Sequence, residues 1–345
     1  MSNDYVYDIE TYPNVFTLAV EHTEAPLRWS FEISDQRNDS REIIEFLQYL
    51  KGTNARMIGF NNLGFDYPVV HMLTRMGKSD ASTLYDKAMA IINSQDNDSK
   101  WMHNVNPSDR MVEQIDLFKI HHFDNKARAT SLKVLEFNMR SDTIEDLPFK
   151  VGTMLTPGEI QVLKKYNAHD VAQTKAFYFK TLDMIKFREE LTLKYNRDFM
   201  NHNDTKIGKD YFAMKLEEAG VTLYDFGPSG RTPRQTKRPV IALKDAILPW
   251  ISFEHPEFTR VLNWLKSQTI TETKGVFDDV TACVGGFSFV FGLGGIHGSV
   301  ESKVIESDTD SVIVDLDVSS YYPNLAISNG FYPAHLGESF CHIYK

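Results

Sequence analysis

Two short runs near the start, Tyr5-Val6-Tyr7-Asp8-Ile9-Glu10 and Val15-Phe16-Thr17-Leu18-Ala19-Val20, are rich in β-branched and aromatic side chains. With Tyr12-Pro13-Asn14 between them, they predict two strands joined by a turn. Ile43, Ile44, Leu47 and Leu50 recur at helical spacing, so residues 41–50 are predicted as an amphipathic helix. Residues 57–60 read as a short buried strand, 68–76 as a helix, 115–118 as a strand and 131–137 as a helix. Strands alternating with helices indicate an α/β domain with a sheet flanked by helices. Thr156-Pro157-Gly158-Glu159 is a strong helix start, with Thr156 as cap, Pro157 at the first position and Glu159 closing a capping box. That helix is expected to pass through Tyr166 and Asp170 and to continue to about residue 194.

The pattern then changes. Phe226-Gly227-Pro228-Ser229-Gly230 breaks the chain, residues 245–266 carry helical pieces interrupted by Pro249 and Pro256, and glycines cluster at 285–286 and 292–298. Val312-Ile313-Val314-Asp315-Leu316-Asp317 is predicted as a strand. Asp308-Thr309-Asp310-Ser311 before it reads as a hairpin turn, where aspartate is common.

A chain of 345 residues exceeds one comfortable core. We divide it into residues 1–190, a connecting segment 191–280 and a third part 281–345. No apolar run is long enough to span a bilayer, and the first residues lack the pattern of a secretory signal. Cys283 and Cys341 are too few for a disulfide framework and suit a reducing compartment, so a cytoplasmic location is expected. A net charge of −10 argues at first against nucleic acid. Carboxylates that hold metal ions invert that reading locally, because the ion reverses the sign of the site. Arg231, Arg234, Lys237, Arg238 and Lys244 also form a basic stretch, either a solvated loop or a DNA contact in which Arg234 and Arg238 are the candidates.

Three short motifs carry the chemistry: Asp8-Ile9-Glu10, Asn62-Leu63-Gly64-Phe65-Asp66 and Tyr166-Asn167-Ala168-His169-Asp170. Residues two apart on a strand share a face, so Asp8 and Glu10 project together. Tyr166 and Asp170 are four apart on a helix and share a face there. Phosphodiester hydrolysis needs an activated water and neutralised charge on the entering and leaving oxygens, which two Mg²⁺ ions roughly 3.5–4 Å apart supply. A small carboxylate cluster suits such a pair. Each motif alone has a plainer account: a solvated edge, a helix cap at Asp66, a half-buried tyrosine beside a surface acid.

In order, spacing and flanking residues the three motifs together resemble the proofreading 3′→5′ exonuclease domain of family B DNA polymerases, over roughly residues 5–180. Ser131-Leu132-Lys133-Val134-Leu135 is similar to that family's segment contacting the single-stranded primer end. The resemblance implies an RNase H-like exonuclease domain in which Asp8, Glu10, Asp66 and Asp170 hold two Mg²⁺ ions, for which Mn²⁺ substitutes. It implies further that Tyr166 orients the attacking water, Phe65 and Leu132 touch frayed bases, and Asn62 and Ser131 hydrogen-bond the strand.

Asp317-Val318-Ser319-Ser320-Tyr321-Tyr322-Pro323 resembles the first polymerase motif of the same family. By that resemblance Asp317 is a metal ligand, while Ser320, Tyr321 and Tyr322 meet an incoming nucleotide, so residues 281–345 are expected to begin an α+β palm. Gly294-Gly295-Ile296-His297 is similar to the Tyr-x-Gly-Gly linker of protein-primed phage enzymes, with Leu293 where tyrosine is expected. The fingers helix and the later Asp-Thr-Asp turn would follow the first motif, and the Asp-Thr-Asp at 308–310 precedes it. The expected partners are therefore a single-stranded DNA 3′ end or primer-template and a second polypeptide that completes a split polymerase, with dNTP bound only by the complete enzyme. The rival expectations are a free-standing 3′→5′ exonuclease and a non-catalytic module that completes a partner chain.

Overall fold

The computed structural model describes residues 3–95, 98–228, 230–272, 275–277, 280–292 and 295–345, with 98–100 described as backbone only. It divides into two compact units, the first running to Asp210 and the second from Tyr211 to Lys345.

The first unit opens with β1 (Asp4–Tyr12), β2 (Val15–His22) and β3 (Arg28–Ser34), followed by α1 (Ser40–Gly52) and β4 (Arg56–Gly59). Next come α2 (Asp66–Met76), α3 (Ala81–Ser94), β5 (Glu113–Asp116), α4 (Leu117–Ile120) and α5 (Leu132–Met139). The long α6 (Pro157–Tyr195) follows, and α7 (Asp204–Glu218) begins in this unit and ends in the second. The five strands form one sheet in the order β3-β2-β1-β4-β5. β1 pairs antiparallel with β2, and β2 with β3, while β1–β4 and β4–β5 are parallel. This mixed sheet matches the predicted α/β class.

Alternation along β1 sends its side chains to the two faces of the sheet. Tyr5, Tyr7 and Ile9 join Ile43 and Leu47 of α1, Val69 and Val70 of α2, and Leu84 and Ala88 of α3. Val6 instead joins Val171, Phe177 and Ile185 of α6, and Tyr12 joins Ile160 and Leu163 of the same helix. Each such fully buried aliphatic or aromatic side chain contributes about 1.5–3 kcal/mol. Asp8 and Glu10 have the parity of Val6 and Tyr12, so they lie on the sheet face that α6 crosses.

Local rules account for most boundaries. The capping box at Thr156 and Glu159 is present, with Pro157 at the first position. The strand predicted at residues 115–118 stops at Asp116, because the Asp116 carboxylate accepts from Phe118 N and turns the chain into α4. The unit extends beyond residue 190 because of Arg188. It is fully buried, donates to the carbonyls of Met184, Ile120 and His202, and pairs with Asp204. Residues 199–204 are thereby fastened to α6.

The second unit holds small pieces: the hairpin β6 (Tyr224–Gly227) and β7 (Gly230–Pro233), the pair β8 (Ile241–Ala242) and β9 (Thr269–Ile270), and helices α8 (Leu243–Ala246) and α9 (Pro256–Ser267). A three-stranded antiparallel sheet follows, made of β10 (Thr281–Val284), β11 (Phe287–Gly292) and β12 (Gly295–Ser299). Gly285 and Gly286 join β10 to β11 with φ of 59° and 85°, the doubly left-handed turn that glycine permits. Leu293 and Gly294 of the linker-like motif lie outside the described residues, and Gly295 to His297 belong to β12.

The strand expected at residues 312–317 is not formed. Residues 303–318 carry no strand or helix, and Val312, Ile313, Val314, Leu316 and Val318 are exposed. The alternation was a true propensity signal, but a strand also needs a ladder partner for its amides, and this stretch has none among the described residues. Asp308 accepts from the amides of Asp310 and Ser311, which makes the Asp-Thr-Asp-Ser string a turn. After it come α10 (Tyr321–Asn329) and α11 (Ser339–Tyr344). No described helix is long and apolar enough to cross a membrane.

A candidate two-metal nuclease site

The β1–β4 ladder ends at Val6 and Ile58, so further along β1 has no neighbour on that side. The free amide of Ile9 is taken up by Asp66, whose Oδ1 accepts from it at 3.2 Å. Asp66 is the first residue of α2, and its carboxylate lies against β1 between Asp8 and Glu10 in sequence. From the other side α6 brings Tyr166 and Asp170. Carboxylate oxygens of Asp8, Glu10 and Asp170 lie within 4.8 Å of one another. Tyr166 is buried and its hydroxyl donates to Asp170. Asn167 Nδ2 donates to Asp8 Oδ2 at 2.7 Å while its Oδ1 accepts from Thr17, so the rotamer of Asp8 is held from α6.

The electrostatics are those of a site lacking positive charge. Burial, then the neighbouring Asp66, Glu10 and Asp170, pushes the Asp8 carboxyl well above its ordinary range. Glu10 is raised in the same way by burial, Asp170 and Asp66. Burial lifts Asp66 to about 7 and Asp170 to about 6, against the hydrogen bonds from Ile9 and Tyr166 that lower them. Burial and the Asp170 charge also raise Tyr166. None of the four carboxylates has an ion-pair partner among the described residues. Lys133 on α5 is close enough to lower Glu10 and Asp170, but its ammonium bonds to Asp146. Asp4 is the internal control. It shares the face of Asp8 on β1, is more deeply buried than Asp8, and is neutralised by Arg56 at 2.7 Å with a further bond from Tyr178. Three or four oxygens converging without a cation fit a divalent ion, since Mg²⁺ and Mn²⁺ take oxygen ligands and their charge would reverse these shifts.

The loop that presents Asp66 is held by a residue the motifs did not flag. Asp116, fully buried at the end of β5, accepts from the amides of Asn61 and Leu63 as well as Phe118. Burial raises it to about 6 even so. The available signal was its position as the last residue of a parallel strand, next to the loop after β4. Asn167, Glu136 and His169 were also passed over. The first and last lie inside the third motif, between its tyrosine and aspartate, where only side-chain direction in the fold gives them meaning.

The substrate-contact candidates divide. Asn62 is fully buried and its Nδ2 donates to Gln114 Oε1 at 3.0 Å and to the Tyr7 hydroxyl, which ties the motif loop to the core and leaves its Oδ1 without a partner. Phe65 is half-buried against the first core. Ser131 caps α5 by accepting from Val134 N, and Leu132 is half-buried beside it. In the second unit Asp317 and Ser320 are exposed, Ser320 with a left-handed φ of 51° before α10. The Tyr321 and Tyr322 rings meet edge to face at 5.6 Å. Arg234 is paired with Asp225 across the β6–β7 hairpin, and Arg238 is exposed.

No curated protein and no solved structure matches this chain. A family model does, over residues 15–215, described as a predicted 3′-5′ exonuclease related to the exonuclease domain of PolB. The matched stretch takes in Asp66, Tyr166 and Asp170 and begins just after Asp8 and Glu10, which the fold adds to it. It covers more than half of the chain, and the protein belongs to this family of PolB-related 3′-5′ exonucleases.

Proposed function

We propose that the first unit removes nucleotides from the 3′ end of single-stranded DNA, with Asp8, Glu10, Asp66 and Asp170 holding two divalent cations. The observation that carries this is the convergence of carboxylates from β1, α2 and α6 with no cation to balance them, beside an Asp4 that has one. When bound, two such ions neutralise charge on the scissile phosphate and make a water nucleophilic near neutral pH. The chain's own groups do the rest. Tyr166 holds Asp170 and turns its hydroxyl toward the place where the attacking water would sit, Asn167 fixes Asp8, and Asp116 holds the loop that delivers Asp66. Phe65 and Leu132 offer apolar surface to unpaired bases, which stack without regard to sequence. An RNase H-like arrangement is supported by the strand order and by the antiparallel-then-parallel pairing.

The test is degradation of a 3′-ended single strand in Mg²⁺. We expect activity that chelation abolishes, and that Asp8→Ala and Asp66→Ala each reduce by at least about 10²-fold. Full activity in either variant would sink the site.

The second unit we read as the start of a palm that a second polypeptide would complete for nucleotide incorporation. Its support is the Asp317 motif and the exposed apolar run before it. Robust DNA synthesis by this chain alone, or failure to recover a partner carrying fingers and an Asp-Thr-Asp turn, would count against it.

A further inference from the structure

Across the helix pair α5–α6, beside the four carboxylates, lies a second cluster. Glu136 on α5 is buried to 1% exposure. Its Oε2 lies 3.2 Å from Nε2 of His169 on α6, and its Oε1 has no hydrogen-bond partner. Ligand atoms of Glu136, His169 and Asp170 all fall within 4.8 Å of one another, and Glu145 approaches His169 Nδ1 at 3.9 Å from a more exposed position. A tie between two helices would explain the Glu136–His169 bond. It does not explain a buried carboxylate oxygen left unpaired, which native structures rarely tolerate. Nor does it explain why a third acid faces Asp170.

We propose that Glu136, His169 and Asp170 bind a third divalent cation, of the transition-metal kind, with Asp170 shared between this site and the nuclease pair. Two ligand atoms 3.2 Å apart can both sit about 2.1 Å from one ion and subtend an angle near 100°, within the range of tetrahedral and octahedral shells. The spacing of Glu136 and His169 is therefore already that of adjacent ligands. Binding through both oxygens of Glu136 would give the unpaired Oε1 a partner as well. Donor chemistry sets the preference: an imidazole nitrogen with two carboxylates favours Mn²⁺, Zn²⁺ or Fe²⁺ over Mg²⁺, whereas the Asp8, Glu10 and Asp66 side is all oxygen. The same chain thus offers a hard site and a mixed one within a few ångströms. The mixed site rests on the nuclease reading only for the second role of Asp170.

The experiment uses the full chain with Mn²⁺ as the probe in the presence of excess Mg²⁺, read by pulsed electron paramagnetic resonance. The expected result is one retained Mn²⁺ with nitrogen modulation from imidazole. That modulation should vanish in His169→Gln and persist in Asp8→Asn/Glu10→Gln. Glu136→Gln keeps an acceptor for His169 and removes only charge, and it should weaken Mn²⁺ at least about tenfold. No nitrogen modulation in the wild-type chain overturns the proposal whether or not any variant folds. So does modulation that survives in His169→Gln, or unchanged Mn²⁺ affinity in Glu136→Gln. A wild-type chain that binds Mn²⁺ through nitrogen yet degrades no DNA would overturn the nuclease reading and leave this one standing.

Discussion

Asp4 and Asp8 stand four residues apart on one face of β1, and their surroundings give them opposite roles. Arg56 and Tyr178 satisfy Asp4, whereas Asp8 meets only an amide from Asn167 and three more acids. A buried pair of opposite charges is structural, whereas like charges drawn together are what a cation site would require. The consequence appears in the pH dependence of the metal-free chain. Asp66, lifted by burial to about 7, and Asp170, to about 6, bind protons more tightly folded than unfolded, where a carboxyl titrates near 3.9. Their contribution is therefore most favourable below about pH 4 and is lost as pH rises through 6 to 7. Asp66→Asn, which keeps an acceptor for Ile9 N, should unfold roughly 3 °C or more above wild type at pH 8 in chelator. The gap should close toward pH 5 and reverse with excess Mg²⁺, as thermal unfolding followed by circular dichroism would reveal. Asn167→Ala frees the rotamer of Asp8 without removing a ligand, and a loss of about 10–100-fold in activity or metal affinity is expected. Nuclease kinetics across a Mg²⁺ series check this.

At the scale of elements, α6 does most of the positioning. It carries Tyr166, Asn167 and Asp170 on the face toward β1 and extends to Arg188, whose guanidinium serves three carbonyls and Asp204. Arg188→Met leaves those buried acceptors without donors, and about 3 kcal/mol of stability should be lost in urea unfolding. Much of α6 was legible in advance. Thr156 and Glu159 mark its start by local hydrogen bonding, and its end falls one residue beyond the expected 194. Strand β3 and helix α7 were not marked because neither has a clear apolar period, and α3 was missed although Ala81, Leu84, Ala88 and Ile91 recur at helical spacing. Arg28 and Ser30 are exposed on either side of the half-buried Trp29 at the sheet edge, and α7 has weak segregation of apolar from polar faces. Such elements form because a sheet edge or a core is there to receive them.

For the molecule as a whole, the two units differ in how completely they bury their apolar sequence. The first has three cores around its sheet, and the second has a small cluster around Val261, Ala282 and Phe291 and a long exposed stretch near residues 303–318. Backbone without ladder or helix bonds is the preferred target of proteases. Limited proteolysis read by mass spectrometry should cut first between residues 303 and 318 and leave a resistant core ending beyond Asp210. Early cleavage inside the first unit would contradict this.

Chain order, spacing and local chemistry sufficed to single out Asp8, Glu10, Asp66, Tyr166 and Asp170 as candidates, to start α6 at Thr156 and to place the first unit in the α/β class. Those properties are written in short segments, where strand parity, helical period and capping act between near neighbours. Three things needed the tertiary structure: that Asp4 is neutralised while Asp8 is not, that Asn62 turns inward, and that Val312 to Leu316 remains unpaired. Each depends on what lies across a sheet or between helices from residues distant in sequence, and burial and charge balance are properties of that company.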